Sequence, residues 1–201
     1  MEKYNYKKAK FFITVNDLKS LPKESLKEIA FAGRSNVGKS SLINTLANQT
    51  RLAFTSKTPG RTQHINYFSL EKAGIFLVDL PGYGYAKVPE KIRNHWEVLL
   101  SNYLQKHPPL IGLVLIMDSR HPLKELDYTM LNFFGATKKP IHIVLSKSDK
   151  LNNQEKTEVL NFVKSQLEKK GFTNFSIQLF SSLKRKGIDE LETVLDTWLN
   201  P

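Results

Sequence analysis

Hydrophobic positions along this chain follow two rhythms. Four near-continuous apolar runs, Ile29 to Ala32, Ile75 to Leu80, Leu110 to Met117 and Ile141 to Leu145, predict strands, and a fifth spans Phe175 to Phe180. Runs without polar alternation suit strands buried on both faces, as in a parallel sheet covered by helices. Between them the spacing becomes helical, first in Ile92, Trp96, Leu99 and Tyr103, then in Val159, Phe162, Val163 and Leu167, and last in Ile188, Leu191, Leu195 and Trp198. Both tryptophans fall on these stripes and are expected in the core. Strand alternating with helix predicts a doubly wound α/β sheet, with helices on both faces and ligands at the carboxyl ends of the strands. Only Glu71 to Gly74 separates Ile65 to Leu70 from the Ile75 strand, which predicts a hairpin and hence one antiparallel strand at the edge of a mostly parallel sheet.

Length adds that 201 residues make one domain with room for a full core. Residues 1–25, with four lysines in the first ten positions and Pro22 near the end, read as a basic N-terminal extension, and 26–201 as the main domain. The chain has no cysteine, so disulfide frameworks, thiolate metal sites and a cysteine nucleophile are excluded. Its apolar runs fall short of the roughly 18 residues that span a bilayer, and the N-terminus lacks the apolar centre of a signal peptide. No transmembrane segment and a cytoplasmic location are expected. A net charge of +11 suits a polyanionic partner such as RNA, DNA or an acidic membrane, or else a solvated basic surface. Lys184-Arg185-Lys186, Lys138-Lys139, and Lys87, Lys91 and Arg93 are candidate parts of an RNA-facing surface. The five histidines are scattered without metal-ligand spacing.

Chemistry enters at Gly33-Arg34-Ser35-Asn36-Val37-Gly38-Lys39-Ser40, a GxxxxGKS sequence that follows the Ile29 strand and opens a helix through Ser41 and Leu42. The glycines let the backbone wrap so that successive N–H groups face phosphate oxygens, reinforced by the helix dipole. Lys39 supplies a point charge for the β- and γ-phosphates, and the Ser40 hydroxyl can ligate Mg²⁺. Asp79-Leu80-Pro81-Gly82 ends the Ile75 strand, placing a carboxylate on the same sheet edge, where it can hold a water on Mg²⁺. Ser146-Lys147-Ser148-Asp149 ends the Ile141 strand, and Asp149 can accept the ring N–H and the exocyclic amine of guanine while repelling the acceptor edge of adenine. Ser181-Ser182-Leu183 follows the last strand and can complete a base pocket with backbone N–H groups.

Taken in order, GRSNVGKSSLIN, TPGRTQ, DLPGYGYAKV, SKSD and SSLKRKG resemble the EngB family of bacterial GTP-binding proteins, within the translation-factor-like P-loop GTPases. The resemblance covers about residues 26–201. It implies a single G domain that binds GTP and GDP with Mg²⁺ and hydrolyses GTP slowly, and a role in assembly of the large ribosomal subunit, with rRNA and ribosomal proteins of its precursor as partners. It also implies a need in normal cell division and septation. A monomer is expected.

Carried onto this chain, the resemblance places phosphate contacts on Gly33 to Ser41. It makes Gly60, Arg61, Thr62, Gln63 and His64 switch I, and Asp79, Leu80, Pro81 and Gly82 the start of switch II. Guanine would be held by Ser146, Lys147, Ser148 and Asp149 with Ser181, Ser182 and Leu183. Thr55, Thr58 and Thr62 are equal candidates by sequence; the resemblance alone selects Thr62 as a Mg²⁺ ligand beside Ser40 and Asp79. Lys39, Thr62 and Asn36 are the candidate catalytic groups. Asn36 stands where related potassium-dependent GTPases hold K⁺, which can offset transition-state charge; the other reading is that Asn36 simply tolerates an unusual loop conformation. Two departures matter. Ser146 replaces the usual Asn, so the amide tying the base loop to the P-loop is missing and looser guanine binding is expected. Tyr83 stands where Ras-like GTPases carry the Gln that orients water, so slow turnover is expected. Two alternatives remain on the sequence, a small P-loop phosphotransferase and a nucleotide-gated binding module for division proteins.

Overall fold

The computed structural model describes residues 2–53, 64–84 and 90–200, and the side chains of 90–97 lie outside the described set. Its elements are β1 (Lys10–Val15), β2 (Lys27–Gly33), α1 (Lys39–Leu46), β3 (Ile65–Ser69), β4 (Ile75–Asp79), α2 (Glu90–Lys106), β5 (Leu110–Asp118), α3 (Glu125–Gly135), β6 (Ile141–Ser146), α4 (Asn153–Lys169), β7 (Phe175–Leu179) and α5 (Ile188–Leu199). The strand order is β1-β3-β4-β2-β5-β6-β7. From β4 to β7 each neighbouring pair is parallel.

The long apolar runs form the centre of the sheet because both faces are covered. Leu42, Ile43 and Leu46 of α1 with Leu191, Leu195 and Leu199 of α5 pack on one face. Leu99, Tyr103 and Leu104 of α2, Leu131 and Phe134 of α3, and Val163 and Leu167 of α4 pack on the other. Trp198 packs beside the first of these layers, over Gly112, where an added Cβ would lie 2.5 Å from the indole. Trp96 lies outside the described side chains. Phe162 departs from its expected stripe and is 49% exposed, because Val163 and Leu167 take the inward positions of α4.

The predicted hairpin forms, with β3 antiparallel to β4, but β3 is not the edge. β1 pairs with its other side, also antiparallel, through a register shift between Phe11 and Ile13. Only Val15 of β1 is buried, so its sequence lacks the run of inward positions that announces a strand. The segment before β1 is docked on the helices. The Tyr6 hydroxyl donates to Asp196 Oδ1 of α5 at 2.7 Å, and Gln49 Nε2 donates to the carbonyl of Ala9 at 2.8 Å. At the amino end of β2, buried Glu28 accepts from the hydroxyls of Tyr67 (3.1 Å) and Tyr103 (2.7 Å) and lies 2.9 Å from His107 Nε2, fixing the end of α2 against the sheet. The opposite, carboxyl edge carries the motifs. Among the described residues no helix is long and apolar enough to cross a membrane.

Candidate functional site

Four loops meet at the carboxyl edge of β2, β4, β6 and β7. The loop after β2 turns into α1 through two residues in the left-handed region, Asn36 at φ 63° and Gly38 at φ 99°. Gly33 is required for another reason: a Cβ there would lie 2.7 Å from the Ile116 carbonyl and 2.8 Å from Val37. The backbone thus curls as a phosphate cradle needs, with α1 starting at Lys39. Asn36 adopts a conformation in which Asn is enriched, which accounts for its presence in the loop whatever else it does.

Lys39 and Asp79 are both buried and form an ion pair across the loop. Burial pushes the Asp79 carboxyl up, and the Lys39 ammonium opposes that shift. Ser40 opens α1 beside them. A hydroxyl and a carboxylate at this spot are hard oxygen donors of the kind Mg²⁺ prefers, so the residues present fit that ion. Leu80 continues from β4 with its N–H on the Phe31 carbonyl (3.0 Å), and Pro81 is buried. Gly82 then passes over the P-loop, where its Cβ position would be 3.4 Å from Ser35. Of the expected switch I residues, His64 is exposed just before β3. Gly60, Arg61, Thr62 and Gln63, together with Thr55 and Thr58, lie outside the described residues.

The base loop has a tie of its own in place of the missing amide. The amide that other GTPases carry is absent at Ser146, yet the tie to the P-loop is present: the Ser146 hydroxyl lies 2.5 Å from the Val37 carbonyl and 3.1 Å from that of Met117. Lys147, in the left-handed region at φ 58°, adds a second tie from its Nζ to the Asn36 carbonyl at 2.9 Å. Ser148 is buried, its N–H on the Phe180 carbonyl at 3.1 Å. Asp149 accepts from the Ser181 hydroxyl at 2.5 Å, and that hydroxyl oxygen accepts the Lys184 N–H at 3.1 Å. The Ser181 bond holds the Asp149 carboxyl below its ordinary range despite some burial, so it stays an acceptor. Ser182 is half-buried and Leu183 is 72% exposed. Behind this loop, Gln178 donates to the Gly187 carbonyl at 2.7 Å and pairs with the buried His142 at 2.8 Å.

Two residues missed by sequence reasoning, Asp118 and Asp127, belong to this edge. Asp118 ends β5 and accepts from Arg120 Nη2 at 2.7 Å and Lys147 Nζ at 2.9 Å, so Lys147 is pinned between it and the P-loop. Burial alone would raise the Asp118 carboxyl, but the Arg120 and Lys147 bonds hold it well below its usual range. Its signal was available: like Asp79 and Asp149, it is a carboxylate at the carboxyl end of an apolar run. Asp127, in the first turn of α3, gave no such signal. Tyr83 points its hydroxyl at Asp127 (2.9 Å), and burial with the adjacent carboxylate raises that phenol.

Comparison with known proteins agrees with this geometry. Residues 28–147 match the family described as 50S ribosome-binding GTPase. The curated protein named "Probable GTP-binding protein EngB" from Neisseria meningitidis serogroup B is 60% identical over 97% of this chain and 93% of its own length. A similarly named protein of Laribacter hongkongensis is 59% identical over 96% of this chain and 86% of its own. Among solved structures, one titled as a probable GTP-binding protein engB superposes with a TM-score of 0.68 at 22% identity, covering 86% of this chain and 98% of that one. Era in complex with MgGDPNP and part of 16S ribosomal RNA superposes with a TM-score of 0.69 at 22% identity, over 87% of this chain and 57% of that one. At these identities the two structures establish the fold.

Proposed function

The chain belongs to the EngB family of GTP-binding proteins and is a P-loop GTPase, and on that premise we propose that it is a slow GTP-driven switch in assembly of the large ribosomal subunit. The observation that carries the site assignment is the meeting of the Gly33–Ser40 cradle, Asp79 and the Ser146–Asp149 loop at one sheet edge, tied by the Ser146 and Lys147 bonds.

In this reading the loop of residues 33–41 takes the phosphates through its free N–H groups and the Lys39 ammonium, while the Ser35 N–H stays on the Tyr83 carbonyl. Phosphate oxygens then replace the Asp79 carboxylate as partner of Lys39. Ser40, Asp79 and, by family resemblance, Thr62 would hold Mg²⁺, which when bound neutralises phosphate charge and orients the γ-phosphoryl group. Asp149 reads guanine, held by Ser181, while Lys147 lies along the pocket wall and Leu183 and Ser182 close its far side. By family resemblance Gly60 to His64 would close on the γ-phosphate and be released after hydrolysis, and Asp79 to Tyr83 would respond to the same group from the position in which the P-loop already holds them. Tyr83, engaged with Asp127, leaves no side chain there to orient water, which supports slow turnover. Asn36 would hold K⁺ beside the phosphates; hydrolysis faster in K⁺ than Na⁺ for the wild type, and equal in both for Asn36→Ala, is the expected result, and a wild type indifferent to the cation refutes it.

The surplus of positive charge and the family description support a ribosomal precursor as the partner; a need in normal division and septation rests on the family resemblance alone. Co-sedimentation with large-subunit precursor particles tests this. Binding that depends on whether GTP analogue or GDP is present supports the switch, and equal binding in both states contradicts it.

A further inference from the structure

The residue after the DxxG segment is anchored in a way that phosphate chemistry alone does not explain. Tyr83 is stitched to the P-loop by its backbone: the Ser35 N–H donates to the Tyr83 carbonyl at 3.1 Å, and the Tyr83 N–H to the Gly33 carbonyl at 3.3 Å. Its side chain reaches the other way. The Tyr83 hydroxyl donates to Asp127 Oδ1 at 2.9 Å, and Arg34 Nε of the P-loop reaches the same oxygen at 3.3 Å. The second Asp127 oxygen accepts the Lys124 N–H at 2.9 Å, at the start of α3, and Arg34 Nη2 donates to the His121 carbonyl at 3.0 Å.

Asp127 is fully buried. A carboxylate with no solvent contact is costly unless its bonds compensate, and here they join three parts of the chain, the P-loop, the DxxG segment and the first turn of a helix. The helix is the rigid member. Gly82 sits immediately before this anchor, where an added Cβ would meet the Ser35 backbone at 3.4 Å, and Gly84 immediately after it, at φ 90°. Two glycines would leave the segment free to sample many directions, and ordering it on ligand binding would cost conformational entropy.

From this geometry, and resting on the nucleotide reading above, we infer that Tyr83 and Asp127 are positioning residues: they hold the Gly82 backbone against the P-loop in advance, at the end of the cradle that a γ-phosphate would reach. The pair touches no phosphate itself. It acts by lowering the ordering cost for a ligand that uses Gly82, which distinguishes GTP from GDP. A nucleoside diphosphate has no group at that position, and the anchor contributes nothing to its affinity.

The test is Tyr83→Phe, which removes the hydroxyl and keeps the ring. Affinities for GDP and for a non-hydrolysable GTP analogue are measured with Mg²⁺ by calorimetry, together with the melting temperature. A hydrogen bond to a charged acceptor is worth more than about tenfold in an equilibrium, and only the part that differs between ligand states is read out. The expected result is a loss of about fivefold to tenfold for the GTP analogue, with GDP affinity unchanged. Asp127→Asn, whose amide can still accept from Tyr83 but has lost the charge, is expected to fall between Tyr83→Phe and the wild type. Equal losses for both nucleotides, or no loss for either, overturn the inference, since a purely structural bond would not discriminate between them. A wild type that binds neither nucleotide overturns the nucleotide reading instead, and this inference with it; retained GDP binding in the variant keeps the two failures apart.

Discussion

Ser146→Ala is the substitution on which the base-loop geometry makes its sharpest prediction. The hydroxyl has one proton and two carbonyls in range, at 2.5 Å on Val37 and 3.1 Å on Met117, so the shorter contact to the P-loop is the bond. Ser146 is 4% exposed and Val37 3%, so water does not replace what is lost. Leaving a buried carbonyl without its donor costs about 1–3 kcal/mol. In a protein of this size each kcal/mol is roughly 2–4 °C, so a fall of several degrees in melting temperature is expected. The same bond fixes the base loop relative to the phosphate cradle, and GTP and GDP span both. Their affinities should therefore fall by a common factor of up to about tenfold, while Ser146→Thr, which keeps the hydroxyl, should retain most of both. Differential scanning calorimetry and nucleotide titration read the two effects. Unchanged melting and unchanged affinity in Ser146→Ala would refute the reasoning, as would a loss confined to one nucleotide.

Lys39→Ala should abolish triphosphate binding and also destabilise the nucleotide-free protein, because breaking a buried ion pair costs about 3–5 kcal/mol; the deficit against wild type should shrink as the pH falls and buried Asp79, already raised, takes up a proton, and thermal melts from pH 7 to pH 4 check this. Asp118→Asn should be less stable than wild type near pH 6. The Asp118 carboxyl is held well below its ordinary value of 3.8, so its contribution is complete above that value and is lost progressively as the pH falls from there toward the lowered folded value; the gap between the two proteins in acid denaturation should therefore begin to narrow only below about pH 4 and keep narrowing with further acid, and a constant gap would contradict the ion-pair account.

Much of this fold was legible because its central strands are buried on both faces. Ile29 to Ala32 and Leu110 to Met117 have no polar interruption, and such runs permit few arrangements. β1 was hidden for the opposite reason: five of its six residues are exposed, and its pairing with β3 is decided by a sheet edge that no local pattern records. The phosphate cradle and Asp149 were legible because backbone conformation and base recognition demand particular residues at particular spacings. The Ser146 tie was not legible, since a short hydroxyl reaches in place of an amide only when the two backbones come close enough, and that distance is tertiary. Asp127 stayed invisible because it is 44 residues from Tyr83 and 93 from Arg34 in the chain, and only the packing of α3 brings it to them.

The central claim, a guanine-nucleotide switch at this sheet edge, is tested most directly by calorimetric titration of GTP, GDP and ATP, with Mg²⁺, into the wild type and Asp149→Asn. Strong preference for GTP and GDP over ATP, weakened in the variant whose amide can no longer accept both guanine N–H groups, is the predicted result. ATP binding as tight as GTP binding, or a guanine preference undiminished by Asp149→Asn, would contradict it.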